Sequence, residues 1–299
     1  MKMNGRVFIL LLLTTLFWAG NFVFGKMVGT ELTPVWITFS RWVLALLILL
    51  PLAFFLEKMP DWKIVRKHCH LLVIHGILGV IAYNLLLYQA LKYTSATNAA
   101  LVNTINPGII VFFSFLLLKE KMTKTQISGL LISLFGAIVL LTEGKISQIF
   151  HSQYNTGDLL MIGAVVAWTF YSLLGRRIPL PPITTTAIST LFAMIILAPF
   201  AFMQGIDFSK MTTVGMVGIL YMVLFPSACS FVFWNMALKQ ISPNQAGIFL
   251  NLIPVFTAMI GLFLGESISN EQIVGGIFVF LGVILTSGIK KKTIATQSD

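Results

Sequence analysis

Arg41 is the one charged residue well inside the long apolar runs of this 299-residue chain. The other polar groups in those runs are amides, phenols and indoles: Trp18, Asn21, Tyr83, Tyr88, Asn103, Trp168, Tyr171, Trp234 and Asn251. None of them makes a nucleophile–base pair or a set of paired carboxylates, so no catalytic residue is assigned. They are binding groups. Amides and hydroxyls donate and accept, rings stack, and a guanidinium holds a carboxylate or phosphate. An arginine near mid-bilayer costs about 2.5–3.5 kcal/mol on insertion scales. Arg41 is therefore either a substrate anchor or a structural arginine that snorkels or bonds carbonyls. All ten acidic residues fall in loops or at the ends of the apolar runs, so no buried carboxylate is present to relay protons. Aromatic walls and amides without an acid suit a neutral, zwitterionic or aromatic metabolite better than a bulky organic cation.

Two other groupings imitate known sites and fail on chemistry. His68-Cys69-His70 with His75 has the ligand types of a metal centre. Its nearest histidines are two residues apart, however, and face away from each other on a helix, with no acid nearby. Gly20-Asn21-Phe22-Val23-Phe24-Gly25-Lys26 matches most of a phosphate-binding loop, but Met27 stands where a magnesium-binding Ser or Thr is needed. No metal, cofactor or ATP site is expected. Energy would then come from a solute gradient.

The elements that hold these residues are apolar helices. The chain is 57% hydrophobic and 10% charged, with mean hydropathy +0.92, while soluble domains are nearer a quarter charged. Runs of about 20 apolar residues cross a bilayer as helices. Ten occur, at about 7–25, 33–56, 71–91, 95–118, 125–142, 157–175, 183–203, 212–238, 244–264 and 271–289. The first lacks a small-x-small cleavage site and reads as a retained helix. Fifteen of the twenty basic residues fall in the loops and tails on one side of this arrangement and four on the other. The positive-inside rule puts both termini in the cytoplasm of a multi-pass protein of the plasma or inner membrane. The net charge of +10 thus has a topological origin, and no nucleic-acid partner is implied.

The runs repeat. Ala90-Leu91-Lys92, Ser95, Ala99, Pro107, Glu120, Gly129 and Gly136 recur as Ala237-Leu238-Lys239, Ser242, Ala246, Pro254, Glu266, Gly275 and Gly282. The offset is 147 residues up to the proline and 146 beyond it. Trp18 and Gly25 match Trp168 and Gly175 at an offset of 150. Each copy holds five runs. Copies with an odd number of spans, joined head to tail, lie upside down relative to each other, as in alternating-access carriers. The copies are residues 1–145 and 146–299. Pro107 and Pro254 occupy equivalent points mid-run and are expected hinges. Pro226 has no proline partner; its equivalent lies near Gly79. The glycines spaced by seven let helices approach closely, between the halves or in a homodimer.

Ala90-Leu91-Lys92-Tyr93-Thr94-Ser95-Ala96, the stretch from Pro107 to Glu120, Arg41, and Trp18-Ala19-Gly20-Asn21 together resemble the EamA-type carriers of the drug/metabolite transporter superfamily. That resemblance implies ten helices in two inverted five-helix units around a central cavity. It also implies export or exchange of amino acids or related metabolites in a bacterial inner membrane or a comparable one. The second copy departs from the first. Trp168-Thr169-Phe170-Tyr171 replaces the Trp-Ala-Gly-Asn stretch, and no base near Ser189 matches Arg41. A cavity between the halves is therefore chemically unequal. A lipid-linked-substrate flippase, and a membrane sensor that transports nothing, are the other functions such a chain could have.

Overall fold

The computed structural model describes residues 3–57, 62–94, 96–147, 155–205, 211–263, 265 and 268–287, with side chains left out at 96–98. Every regular element among them is helical. Ten helices are long and apolar enough to cross a membrane. They are α1 (Gly5–Val28), α2 (Pro34–Glu57), α3 (Cys69–Tyr93), α4 (Ala99–Leu118), α5 (Lys124–Thr142), α6 (Thr156–Gly175), α7 (Pro182–Gln204), α8 (Thr213–Leu238), α9 (Pro243–Phe263) and α10 (Asn270–Ser287). The expected all-helical, ten-span architecture is present. Short polar caps start these helices. Asn4 accepts from Arg6 N, and Ser242 from Gln245 N. Thr123 with Gln126, and Asn155 with Asp158, form reciprocal capping boxes. α4 and α5 end on the left-handed residues Lys119 and Glu143.

The packing follows the repeat. α1 packs on α8 and α9, and its counterpart α6 packs on α3 and α4. α2 packs on its counterpart α7, and α5 on α10. Exchanging the halves thus leaves the main set of neighbours unchanged.

The glycine stripes are used inside the molecule. A methyl on Gly136 would stand 2.6 Å from Gly275 O, and one on Gly129 would stand 2.7 Å from Gly282 O. α5 and α10 therefore meet backbone to backbone, which only glycine permits. These stripes face each other between the halves, so they are not a free dimer surface.

Two irregularities also come in pairs. α3 contains a π-helical stretch, Ile77–Ala82, and α8 contains another, Val223–Cys229. At the repeat offset these are the same place. Gly79 lies in one and Pro226 in the other, as the repeat offset expects. The missing proline N–H is one physical cause of such a stretch. α4 and α9 are interrupted. α4 restarts at Asn106–Leu118 after a turn at Thr104, and α9 passes through a 3-10 turn at Ile248–Asn251 before Leu252–Phe263. Pro107 and Pro254 open the new segments instead of kinking a continuous helix. In the first turn a proline gives up no helical hydrogen bond, which explains the placement.

Candidate substrate-binding site

The first polar network forms around Arg41. α1 brings Asn21, α3 brings Asn84 and Tyr88, and α8 brings Ser227 from its π-helical stretch. Arg41 is 1% exposed. Its Nε donates to Ser227 Oγ at 2.7 Å, and its Nη1 donates to Asn21 Oδ1 at 2.7 Å and Asn84 Oδ1 at 3.2 Å. Nη1 also bonds the Tyr88 hydroxyl, which in turn donates to Asn21 Oδ1 at 2.9 Å. Asn84 is fixed by donating its amide to Gly79 O and Val80 O at 3.0 and 2.9 Å. The cation thus has neutral oxygens about it, and its Cζ lies 5.4 Å from the Trp42 ring centre. Of the two readings of Arg41, the snorkelling one does not fit this buried, side-chain-bonded geometry.

A second network forms at the other end of α3. His75 and Tyr88 are thirteen residues apart on that helix, which at 1.5 Å per residue is about 20 Å. α6 brings Tyr171, α7 brings Thr186 and Ser189, and α8 brings Asn235. His75 Nδ1 lies 3.1 Å from Ser189 Oγ. The imidazole stacks on Tyr171 at 4.0 Å and 23°. Asn235 donates to the Tyr171 hydroxyl at 2.8 Å and to Thr186 Oγ1 at 3.0 Å. By the repeat offsets Tyr171 answers Asn21, and Asn235 answers Tyr88. Ser189 is the eighth residue of α7 as Arg41 is of α2. The two networks are equivalent places filled with different chemistry.

Aromatic rings join them. Trp18 lies 4.7 Å from Trp168 and 5.4 Å from Trp234. Trp168 stacks on Tyr171 at 4.8 Å, and Tyr83 and Phe231 flank it at 5.1 and 5.3 Å. Phe231 reaches Trp42 at 4.6 Å, beside Arg41. Rings therefore run from one network to the other without a gap. Two indole N–H groups are spent, Trp18 on Pro226 O at 3.2 Å and Trp234 on Ser172 Oγ at 3.2 Å. The buried N–H of Trp168 has no partner among the described residues.

Eight of the expected residues thus assemble: Trp18, Asn21, Arg41, Tyr83, Tyr88, Trp168, Tyr171 and Trp234. Asn103 and Asn251 stand elsewhere, at the interruptions of α4 and α9. Asn251 donates to Ser133 of α5 at 3.1 Å. Asn84 and Ser227 in the first network, and His75, Thr186, Ser189 and Asn235 in the second, were missing from the expected set. His68 Nδ1 lies 3.0 Å from Ile64 O, and among the described residues no three His, Cys, Asp or Glu side chains come together.

Both ends are closed by polar contacts between elements. At one end Glu31 accepts from Thr212 N at 2.9 Å, and Lys26 bonds Leu91 O and Thr94 O. At the other, Glu57 accepts from Thr184 N at 2.7 Å, Lys239 bonds Ile178 O, and Glu120 pairs with Arg176. Burial pushes the Lys239 ammonium below the usual lysine range, with Glu57 acting against it.

A ten-helix bundle with two matched polar networks about one aromatic core defines a polytopic carrier-like membrane protein. Comparison with known proteins gives its family. The EamA-like transporter family matches residues 5–142 and again 155–288. The chain belongs to that family. It is 30% identical over 290 residues to "Uncharacterized transporter YyaM" of Bacillus subtilis (strain 168), covering 95% of this chain and 94% of that one. An "Uncharacterized transporter" of Archaeoglobus fulgidus is also 30% identical, over 297 residues, covering 95% and 98%. A crystal structure of another protein superposes with a TM-score of 0.72 over 94% of this chain and 95% of that one, at 19% identity. It has the same fold.

Proposed function

We propose that this protein is a secondary carrier that exchanges or exports a small neutral, zwitterionic or aromatic metabolite, such as an amino acid, by alternating access. The observation that carries this reading is the pair of equivalent polar networks at opposite ends of one aromatic core. Each end has its own lock. Opening one lock at a time would expose the core to one side and then the other. The halves, 1–145 and 146–299, would lie inverted, with both termini in the cytoplasm of a bacterial inner membrane, as the bias of basic residues favours. Trp18, Tyr83, Trp168 and Tyr171 would stack on the substrate, the Trp168 N–H would donate to it, and Arg41 would hold a carboxylate. Asn103 and Asn251, beside the breaks at Pro107 and Pro254, would meet it as α4 and α9 bend. Catalysis, a cofactor or ATP has no part in this scheme.

Counterflow in proteoliposomes tests it. Vesicles are loaded with an unlabelled pool of amino acids and metabolites, and labelled members are supplied outside one at a time. Uptake above that of protein-free vesicles, weakened in Trp168→Phe, is the expected result. No uptake of any member by a folded, inserted protein would sink the reading.

One feature favours a second reading, a flippase for a lipid-linked substrate. An apolar groove of about 640 Å³ between α4, α5 and α6 is lined by Leu101, Val102, Ile105, Leu134 and Ile162, with Asp158 and Thr104 among them. Under that reading counterflow fails, and labelled polyprenyl or phospholipid headgroups cross the bilayer in its place.

A further inference from the structure

A carrier driven by protons needs a buried group that changes charge near neutral pH. A guanidinium is not such a group. The six acidic residues of the described segments are Glu31, Glu57, Glu120, Glu143, Asp158 and Glu271, all in loops or within a turn of a helix end. His75 is different. It is inside α3, 0% exposed, and imidazole is the side chain whose ordinary titration lies near neutrality.

Its surroundings are unequal on the two sides of the ring. Nδ1 has Ser189, but Nε2 has no partner among the described residues. Asn235 Oδ1 has none either, although the same amide spends its Nδ2 on Tyr171 and Thr186. A methyl on Gly175 would lie 2.9 Å from His75 Nε2 and 3.3 Å from Asn235 Oδ1. These two orphan atoms therefore flank one small spot, which glycine leaves open. Orphan polar atoms are rare in folded proteins and call for an explanation.

We propose that this spot is a proton-binding station: His75 takes up the coupling proton, and Asn235 Oδ1 is the acceptor for its Nε2–H. The proposal rests on the carrier reading and adds its coupling ion. The charged and titratable groups around the ring are few. α6 presents Tyr171, α7 presents the uncharged Ser189 and Thr186, and Lys239 stands at the end of α8 on Ile178 O. The bases of the short helix Trp62–Lys67 stand at exposed positions. An imidazolium here would be out of water and would face the Lys239 ammonium. A charged His75 and this closed packing therefore oppose each other. Opening this end would bring water to the ring and carry Lys239 away with the lock it forms on Ile178 O. Proton uptake and opening are then linked, each favouring the other. The stack from His75 through Tyr171 to Trp168 carries the change to the core.

The test uses the full chain with His68, His70 and His151 replaced by Gln, so that His75 is the single imidazole. Its nitrogen-15 resonances and the tryptophan emission are followed in lipid nanodiscs from pH 4.5 to 8.5, a range chosen around the ordinary imidazole midpoint of about 6.5. The expected result is a titration of His75 within that range, with an emission change at the same midpoint that His75→Gln removes. An imidazole that stays in one state throughout, or an emission change that survives His75→Gln, overturns the proposal. Should His75→Gln fail to fold, Ser189→Ala keeps the ring and removes its Nδ1 partner; a midpoint that does not move then overturns it. Counterflow is measured on the same protein. Absent flux with a titrating His75 strikes the carrier reading and upholds the site. Flux that ignores an imposed pH difference overturns the coupling.

Discussion

Arg41 is a buried cation whose bonds all go to neutral oxygens, on Asn21, Asn84, Tyr88 and Ser227. Removing the charge removes its desolvation penalty, which offsets the cost of about 1–3 kcal/mol for leaving Asn84 Oδ1 without its donor. Asn21 Oδ1 also keeps the Tyr88 hydroxyl. Arg41→Met should therefore leave the melting temperature within a few degrees of the parent. If the guanidinium holds the substrate carboxylate, counterflow should fall about tenfold or more, since each factor of ten is about 1.4 kcal/mol. A collapsed melting temperature with normal flux per folded molecule would make Arg41 purely structural. The Arg41 network was largely legible in the sequence, because a charge and amides in apolar runs stand out by type alone. The His75 network was not. His75 sits close in sequence to His68 and His70, and rejecting that grouping as a metal centre left the ring with no named companions. The groups it touches, Tyr171 and Ser189, are visible only as repeat mates of Asn21 and Arg41, and they differ from those mates in type.

Between elements, α5 and α10 meet backbone to backbone along two facing glycine stripes. Adding a methyl at Gly136 puts it 2.6 Å from Gly275 O and 2.7 Å from Val279 N, both of them backbone atoms that cannot swing aside. The helices must separate, and overpacking of this kind costs about 1–3 kcal/mol. Gly136→Ala should lower the melting temperature in detergent by several degrees. Gly108→Ala is the control: nothing lies within 4 Å of its added methyl, and no loss is expected. Equal effects at the two sites would refute the close approach. The Glu120–Arg176 pair at the end of α4 and α6 should behave differently. Arg176 is 41% exposed, and exposed pairs contribute about 0–1 kcal/mol. Glu120→Gln should barely move the melting temperature, yet it should speed labelling of a cysteine placed at Leu117, beside the lock. Unchanged labelling would remove the pair from the gating scheme. Helix number and rough limits were readable from hydropathy, since length and apolarity are what a bilayer demands. The π-helical stretches and the breaks in α4 and α9 were not, because they depend on which neighbour takes each freed carbonyl. Pro107 and Pro254 marked the breaks correctly in position but suggested a bent helix instead of a restarted one.

For the molecule as a whole, the decisive fact is that neither half packs chiefly on itself. α1 lies on α8 and α9, α6 lies on α3 and α4, and the pairs α2–α7 and α5–α10 join opposite halves. Trp18 of the first half is enclosed by Trp168, Phe231 and Trp234 of the second. A membrane supplies no hydrophobic drive between helices, so such faces hold together by close packing and hydrogen bonds. A half on its own leaves buried polar groups such as Arg41 and Asn235 without Ser227 or Tyr171. Such uncompensated polar groups are costly in lipid. Residues 1–145 and 146–299 expressed separately should each insert but remain unstable and be degraded. Expressed together as two chains, they should co-purify and regain counterflow, because their contacts need no covalent link. The repeat in the sequence shows two equivalent units but does not say whether they stand side by side or share one core, and the aromatic contacts between Trp18, Trp168 and Trp234 answer that. Stable, monodisperse half-proteins that do not bind each other would contradict the shared core, and with it the claim that one set of rings serves both ends of the path.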